Sequence, residues 1–204
     1  DLKEYDFAFP AGVPAAEKIR REQSAHTSHP VFFTPMTVAS WAMIADILID
    51  NGIVQKREDA YFVVNLNRLL EMITQETRWV QLKNADAYPV DKGILITSTD
   101  VRKSNSAAMY LALASFVLNG KKIVTTDAEI ERLLPHLSSL FLRQGYVESS
   151  SAGPYGDYLV MGPGKSPLVM IYEAQFLHDA ASPDSVISSD MVLMYPEPTV
   201  FTKH

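Results

Sequence analysis

The stretch Gly93-Ile94-Leu95-Ile96-Thr97-Ser98-Thr99-Asp100-Val101-Arg102-Lys103-Ser104-Asn105-Ser106, followed by Ala107-Ala108-Met109-Tyr110-Leu111-Ala112-Leu113-Ala114-Ser115-Phe116-Val117-Leu118, decides the fold class. Its first five residues read as a strand buried on both faces. A polar block follows, and the last twelve read as a helix apolar on nearly every side, stopped by Asn119-Gly120. A helix without a polar face belongs in an interior, so strand and helix together predict one layer of an α/β domain. Ser104, Asn105 and Ser106 are residue types that cap helices, while Ser98 and Thr99 lie at the carboxyl end of the strand. In open α/β sheets ligands bind at that end, and a helix start offers N–H groups to an anion. A cap plus a loop explains the same residues without any ligand.

Outward from this segment, short β-type runs alternate with helical ones. Asp6-Phe7-Ala8-Phe9 reads as a strand closed by Pro10-Ala11-Gly12, and Pro14 suits the first turn of a helix through about Arg21. Val31-Phe32-Phe33 and Met36-Thr37-Val38 are β-rich around Pro35, which predicts an edge strand or one that changes partners. Trp41, Ile44, Ala45 and Leu48 share one helical face ended by Asn51-Gly52. Leu66, Leu69, Leu70 and Ile73 repeat that spacing in a helix ending near Trp79. Lys122-Ile123-Val124 reads as a strand, and Asp127 opens a helix towards Gln144 that Pro135 should kink or split. A short helix to about Met161 follows Ser149-Ser150-Ser151. Leu168-Val169-Met170-Ile171-Tyr172 and Met191-Val192-Leu193-Met194-Tyr195 are further strands, the last cut off by Pro196. The alternation predicts an α/β fold, a three-layer αβα sandwich on a mainly parallel mixed sheet.

Composition narrows the function classes. The chain has 204 residues, room for one ample domain or two small ones. Apolar residues make up 47% and charged residues 21%, which excludes a disordered or fibrous chain. A net charge of −6 repels nucleic acid and anionic membrane, and no apolar run approaches the ~20 residues needed to span a bilayer, so neither partner is expected. Cysteine is absent, which excludes disulfides and thiolate chemistry. The chain begins at Asp1 and reads as a processed or excised piece.

Three segments carry candidate chemistry: the polar block, Tyr172-Glu173 at the end of a buried strand, and the hydroxyl-rich run from Ser149 to Tyr158. His26 and His29 lack partners for a metal set. Gly162-Pro163-Gly164-Lys165-Ser166 ends like a phosphate-binding loop but lacks its first glycine, and no nucleophile elbow is present. No cofactor is expected.

The order of these motifs resembles type 2 periplasmic solute-binding proteins, the bilobed receptors that include molybdate and sulfate binders. The likeness runs through the turn at Pro10-Ala11-Gly12, the β-segment Val31 to Ala39 crossing between lobes, the polar block with its Ala-rich helix, the strand ending in Tyr172, and the returning strand at Met191 to Tyr195. It implies that residues 36–190 form the second lobe, with residues 1–35 and 191–204 as stubs of the first, whose remainder is missing. It also implies an extracytoplasmic, periplasmic or extracellular protein that binds a small polar or oxyanion solute and hands it to a membrane permease, without enzymatic turnover. Expected ligand contacts are Thr99, Ser104, Asn105, Ser106 and Tyr172, with Ser98, Arg102 and Glu173 behind them. The family's Pro-Ala-Gly-type loop after Asp is here Arg102-Lys103-Ser104-Asn105-Ser106; Arg102 and Lys103 suit an anion, Glu173 a cation or polar organic molecule. Two alternatives stay open: a ligand-sensing or interaction module of a larger receptor-like protein, and an α/β hydrolytic enzyme using Ser104 to Ser106 with Glu173.

Overall fold

A computed structural model describes residues 4–22, 27–58, 60–145 and 147–203. Helix α1 (Val13–Glu22) precedes strand β1 (Phe33–Trp41), which runs directly into α2 (Ala42–Asp50). A hairpin of β2 (Val54–Arg57) and β3 (Tyr61–Asn65) leads to α3 (Leu66–Thr74) and two 3-10 turns, Trp79–Gln81 and Ala85–Ala87. Helices α4 (Asn105–Leu118), α5 (Asp127–Leu142) and α6 (Ala152–Met161) come next. Strand β4 (Val169–Tyr172), helix α7 (Glu173–Ala180), and strands β5 (Met191–Glu197) and β6 (Phe201–Lys203) close the order.

The sheet order is β2-β3-β5-β1-β4, with β6 paired only to β1. Strand β1 is central, and eight of its nine residues are buried. Its first residues pair with β6, Phe33 opposite Lys203 and Pro35 opposite Phe201; from Met36 opposite Tyr172 it pairs with β4, and from Val38 opposite Met194 also with β5. Pro35 therefore sits at the change of partner, where a missing N–H costs the main sheet nothing. The sheet is mixed, but the expectation of a mainly parallel one is corrected. Among the described residues only the β3–β5 ladder is parallel, because β1 is inserted between β5 and β4 and runs against both.

Four other expectations change. Residues 6–9 and 122–124 form no strand, and Ile123 is exposed. Residues 94–97 join the sheet through a single parallel bridge, Thr97 to Val169, rather than a ladder. Strand β5 continues through Pro196, which lies opposite Val64. Helix α5 passes Pro135 as one element.

The core forms where the periodicity places it. Leu66, Leu69, Leu70 and Ile73 of α3 are all buried, each contributing roughly 1.5–3 kcal/mol. Helix α4 packs against α3, α5, β4 and β1, burying Tyr110, Leu113, Ala114 and Val117. It is not interior all round, since Ala108 and Ala112 face solvent. Helices α6 and α7 lie on β4, and α7 also on β1. Tyr158 of α6 is fully buried and donates to the Ser40 carbonyl at 2.6 Å, tying α6 to β1. Helix α1 buries no residue.

Candidate functional site

Thr97, the last of residues 94–97, bridges Val169 at the start of β4 and donates to the Leu168 carbonyl at 2.8 Å, so the two segments run parallel there. The chain beyond Thr97 leads to the start of α4, where Asn105 meets Tyr172 at the carboxyl end of β4 and the Thr99, Ser104 and Ser106 hydroxyls link to one another.

Helix α4 starts at this point with Ser104 as its N-cap. The Ser104 hydroxyl does not bond the helix's first N–H groups. It lies 2.9 Å from the Ser106 hydroxyl, which is itself 2.9 Å from the Thr99 hydroxyl. By contrast, Asn65 caps α3 and Thr126 caps α5 in a reciprocal arrangement with Glu129. Helix α4 thus begins with three linked hydroxyls and no side-chain cap. Three O–H groups joined by two contacts leave one proton over; Thr99 and Ser106 are buried and Ser104 is half-buried.

Asn105 and Tyr172 form the second part. The Asn105 amide donates to the Tyr172 hydroxyl at 2.9 Å. Burial raises the tyrosine pKa, with the Asn105 hydrogen bond opposing it, so the hydroxyl stays protonated at neutral pH and can itself donate. Against Asn105 lies Gly12, at the entry to α1. A Cβ built there would sit 3.4 Å from the Asn105 amide nitrogen and from the Thr202 methyl group. Gly12 has φ +140°, a conformation L side chains rarely adopt. Thr202 is buried, and its hydroxyl has no hydrogen-bond partner among the described residues. Gly12 thus lies between the start of α4 and Thr202 of β6.

The remaining expected residues stand apart. Ser98 is buried, its N–H donating to the Gln144 side-chain oxygen at 2.7 Å. Arg102 turns to solvent and grips Asp100 through Nε at 3.0 Å and Nη2 at 2.7 Å. That guanidinium holds the Asp100 pKa down at about 2. Glu173 is half-buried and accepts from the Tyr195 hydroxyl at 2.6 Å. Burial first, and the Glu173 carboxylate second, push the tyrosine pKa up. Thr34 of β1 accepts from the Ala174 N–H at 3.1 Å and so satisfies the start of α7.

Tyr172 also forms part of the wall of a cavity of about 650 Å³, with Phe9 and Phe32 from the flanking segment, Tyr155 and Leu159 from α6, and His178 on α7. The Tyr155 hydroxyl is buried without a hydrogen bond in place, and burial together with the Asp179 carboxylate raises its pKa. The hydroxyl-rich run from Ser149 thus supplies one cavity wall through Tyr155, while Tyr158 belongs to the core. Sequence reasoning missed Gln144 and Tyr195, whose partners lie far along the chain, and Thr202, which the fold brings beside Gly12. Gly12 was visible only as a turn.

Of the histidine pair, His26 lies outside the described residues and His29 is exposed. Among the described residues no group of three His, Asp or Glu is placed to hold a metal, and no helix is long and apolar enough to cross a membrane. Comparison with protein-family models, curated protein sequences and solved structures finds no match.

Proposed function

We propose that this chain is the recognition part of a bilobed solute-binding protein of the type 2 periplasmic kind. Residues 36–190 and β5, which pairs between β3 and β1 in their sheet, form one αβα lobe, and residues 1–35 with the β6 ribbon belong to the other. It works outside the cytoplasm, holding a small polar or anionic solute for a membrane permease.

One observation carries the reading. At the uncapped start of α4, Asn105 donates to the Tyr172 hydroxyl and lies against Gly12 of the leading segment, while the Thr99, Ser106 and Ser104 hydroxyls link at the same helix start. Donors from one lobe then meet a turn of the other, the arrangement a solute needs to favour a closed form. A helix start favours an anion by ~0.3–1 kcal/mol when exposed and up to ~2 kcal/mol when partly buried. Hydrogen bonds to a charged group add ~1.5–3 kcal/mol each. No cationic side chain is needed, in keeping with Arg102 being held on Asp100.

The site acts by binding alone. Its hydroxyls bond one another and Glu173 is held by Tyr195, so no base stands against a nucleophile. Calorimetric titration with a panel of oxyanions, small organic acids and polar metabolites tests the reading. At least one should bind, and Asn105→Ala and Tyr172→Phe should each weaken it about tenfold. A panel in which neither substitution weakens the binding of any solute, or turnover abolished by Glu173→Gln, refutes it.

A further inference from the structure

A second cavity, of about 410 Å³, runs along residues 93–97, lined there by Gly93, Leu95 and Thr97. Its walls come from the chain around Trp79, Tyr88 and Gly93, from Arg143 and Gln144 at the end of α5, and from the turn 162–167. Four cationic side chains, Arg78, Lys92, Arg143 and Lys165, line it against one carboxylate, Asp91. In a chain of net charge −6 this is a local reversal of sign.

The lone carboxylate does not neutralise the group. Asp91 is committed to Arg78, through a side-chain ion pair and a 2.6 Å bond from Arg78 Nη2 to the Asp91 carbonyl. Lys92 has no carboxylate within 4.0 Å among the described residues; its ammonium reaches only the Gly164 carbonyl, at 3.4 Å. Lys165 lies 3.9 Å from Asp157, and Arg143 lies 3.9 Å from Glu76, both at the limit of an ion pair.

Arg143 is the least exposed of the four. Its Nη1 donates to the Ile73 carbonyl at 2.9 Å, satisfying the exposed end of α3. The other arm lies against Gly93, where a Cβ would come within 2.8 Å of Nη2. Nη2 has no acceptor among the described residues, so a fixed planar donor lines the cavity. The turn opposite is Gly162-Pro163-Gly164-Lys165-Ser166, the run that ends like a phosphate-binding loop without being one. A Cβ built on Gly164 meets nothing within 4 Å, so this wall admits an incoming group.

We propose that this cavity is a second ligand site, for a compact anion carrying two or more oxyanion charges, a polycarboxylate or a phosphate compound. Its volume falls within the ~300–1,000 Å³ of small-molecule sites. Arg143 orients one oxyanion group through its planar fork, and Lys92 and Lys165 neutralise the remainder as mobile point charges at the mouth.

Calorimetric titration with citrate and with pyrophosphate, at fixed and then raised ionic strength, tests this. Saturable binding by the intact chain is expected, weakening as salt shortens the screening length below ~10 Å. Lys92 and Lys165 are exposed and hold no element together. The double variant Lys92→Glu/Lys165→Glu should therefore fold, with unchanged circular dichroism, and lose at least tenfold in affinity. Asn105→Ala should bind both probes within twofold of the parent chain. Absence of binding overturns the proposal, as does a double variant that binds like the parent. Loss of citrate and pyrophosphate binding in Asn105→Ala places the anion at the start of α4 instead. That result also overturns the second site while leaving the solute-binding reading intact. Failure to find a solute at the first site has no bearing on this one.

Discussion

Replacing Ser106 by alanine tests the hydroxyl chain at its middle link. Thr99 is 2% exposed and Ser106 4%, and the two hydroxyls are 2.9 Å apart. Ser106→Ala removes both links at once. Ser104 is half-exposed and turns to water at little cost. Thr99 has no such recourse, so its hydroxyl is left buried and unsatisfied, a penalty of about 1–3 kcal/mol. With a urea slope near ~3 kcal/mol per M for a chain of this size, the unfolding midpoint falls by roughly 0.3–1 M. Trp41 and Trp79, both buried, report the transition by fluorescence. Thr99→Val alone leaves Ser106 bonded to Ser104, and Thr99→Val/Ser106→Ala removes both partners. The double variant should therefore cost less than the two singles together, by about 1 kcal/mol. A Ser106→Ala midpoint within experimental error of the parent, or strict additivity in the cycle, refutes the reasoning.

Two further outcomes are expected. Gly12→Ala strains a backbone at φ +140° and crowds Asn105, a cost of about 1–3 kcal/mol. Because α1 buries no residue, this loss should appear as hydrogen exchange about tenfold or more faster in α1 amides, with the global urea midpoint unmoved; an unchanged exchange rate counts against the contact. Acid stability is set in part by Asp100, held at about 2 by Arg102, and by Glu129, held at about 2 chiefly by the Thr125 N–H and the Asn119 side chain. Both folded values lie below the unfolded carboxyl values of ~3.9 and ~4.3. Their contribution is therefore complete above about pH 5 and is lost as pH falls towards 2. Urea midpoints between pH 6 and pH 2.5 should decline less steeply in Asp100→Asn and Glu129→Gln than in the parent chain.

Much of this was legible because single residues decide it. The 3.6-residue recurrence of Leu66, Leu69, Leu70 and Ile73 admits only one buried helical face, and all four are buried. Pro35 denies a ladder bond wherever it stands, and the strand changes partner there. Ser104, Asn105 and Ser106 stood out as candidates because cap-forming residues fall in consecutive places, whereas nothing local joins Asn105 to Tyr172, 67 residues on. The β2–β3 hairpin was not legible either. Gln55, Lys56 and Arg57 are exposed, so β2 carries no alternation of apolar residues to read. Ile123 misled in the opposite sense, since its apolar run finds no neighbouring strand and stays in solvent. The direction of the sheet was beyond local reading. Nothing in the apolar runs tells β1 to enter between β4 and β5, and that choice sets most ladders antiparallel. The Ser98–Gln144 and Glu173–Tyr195 bonds join positions 46 and 22 residues apart, invisible to any spacing rule.

The change of partner in β1 has a mechanical corollary. Ahead of Pro35 the strand belongs to a two-stranded ribbon with β6. Beyond it the same backbone is clamped from both sides, with Thr199 Oγ1 donating to the Met36 carbonyl at 2.8 Å just past the junction. A torque on the ribbon therefore passes into the main sheet through two covalent threads, β1 itself and the link 198–200 between β5 and β6. The geometry is that of an axle set in a bearing.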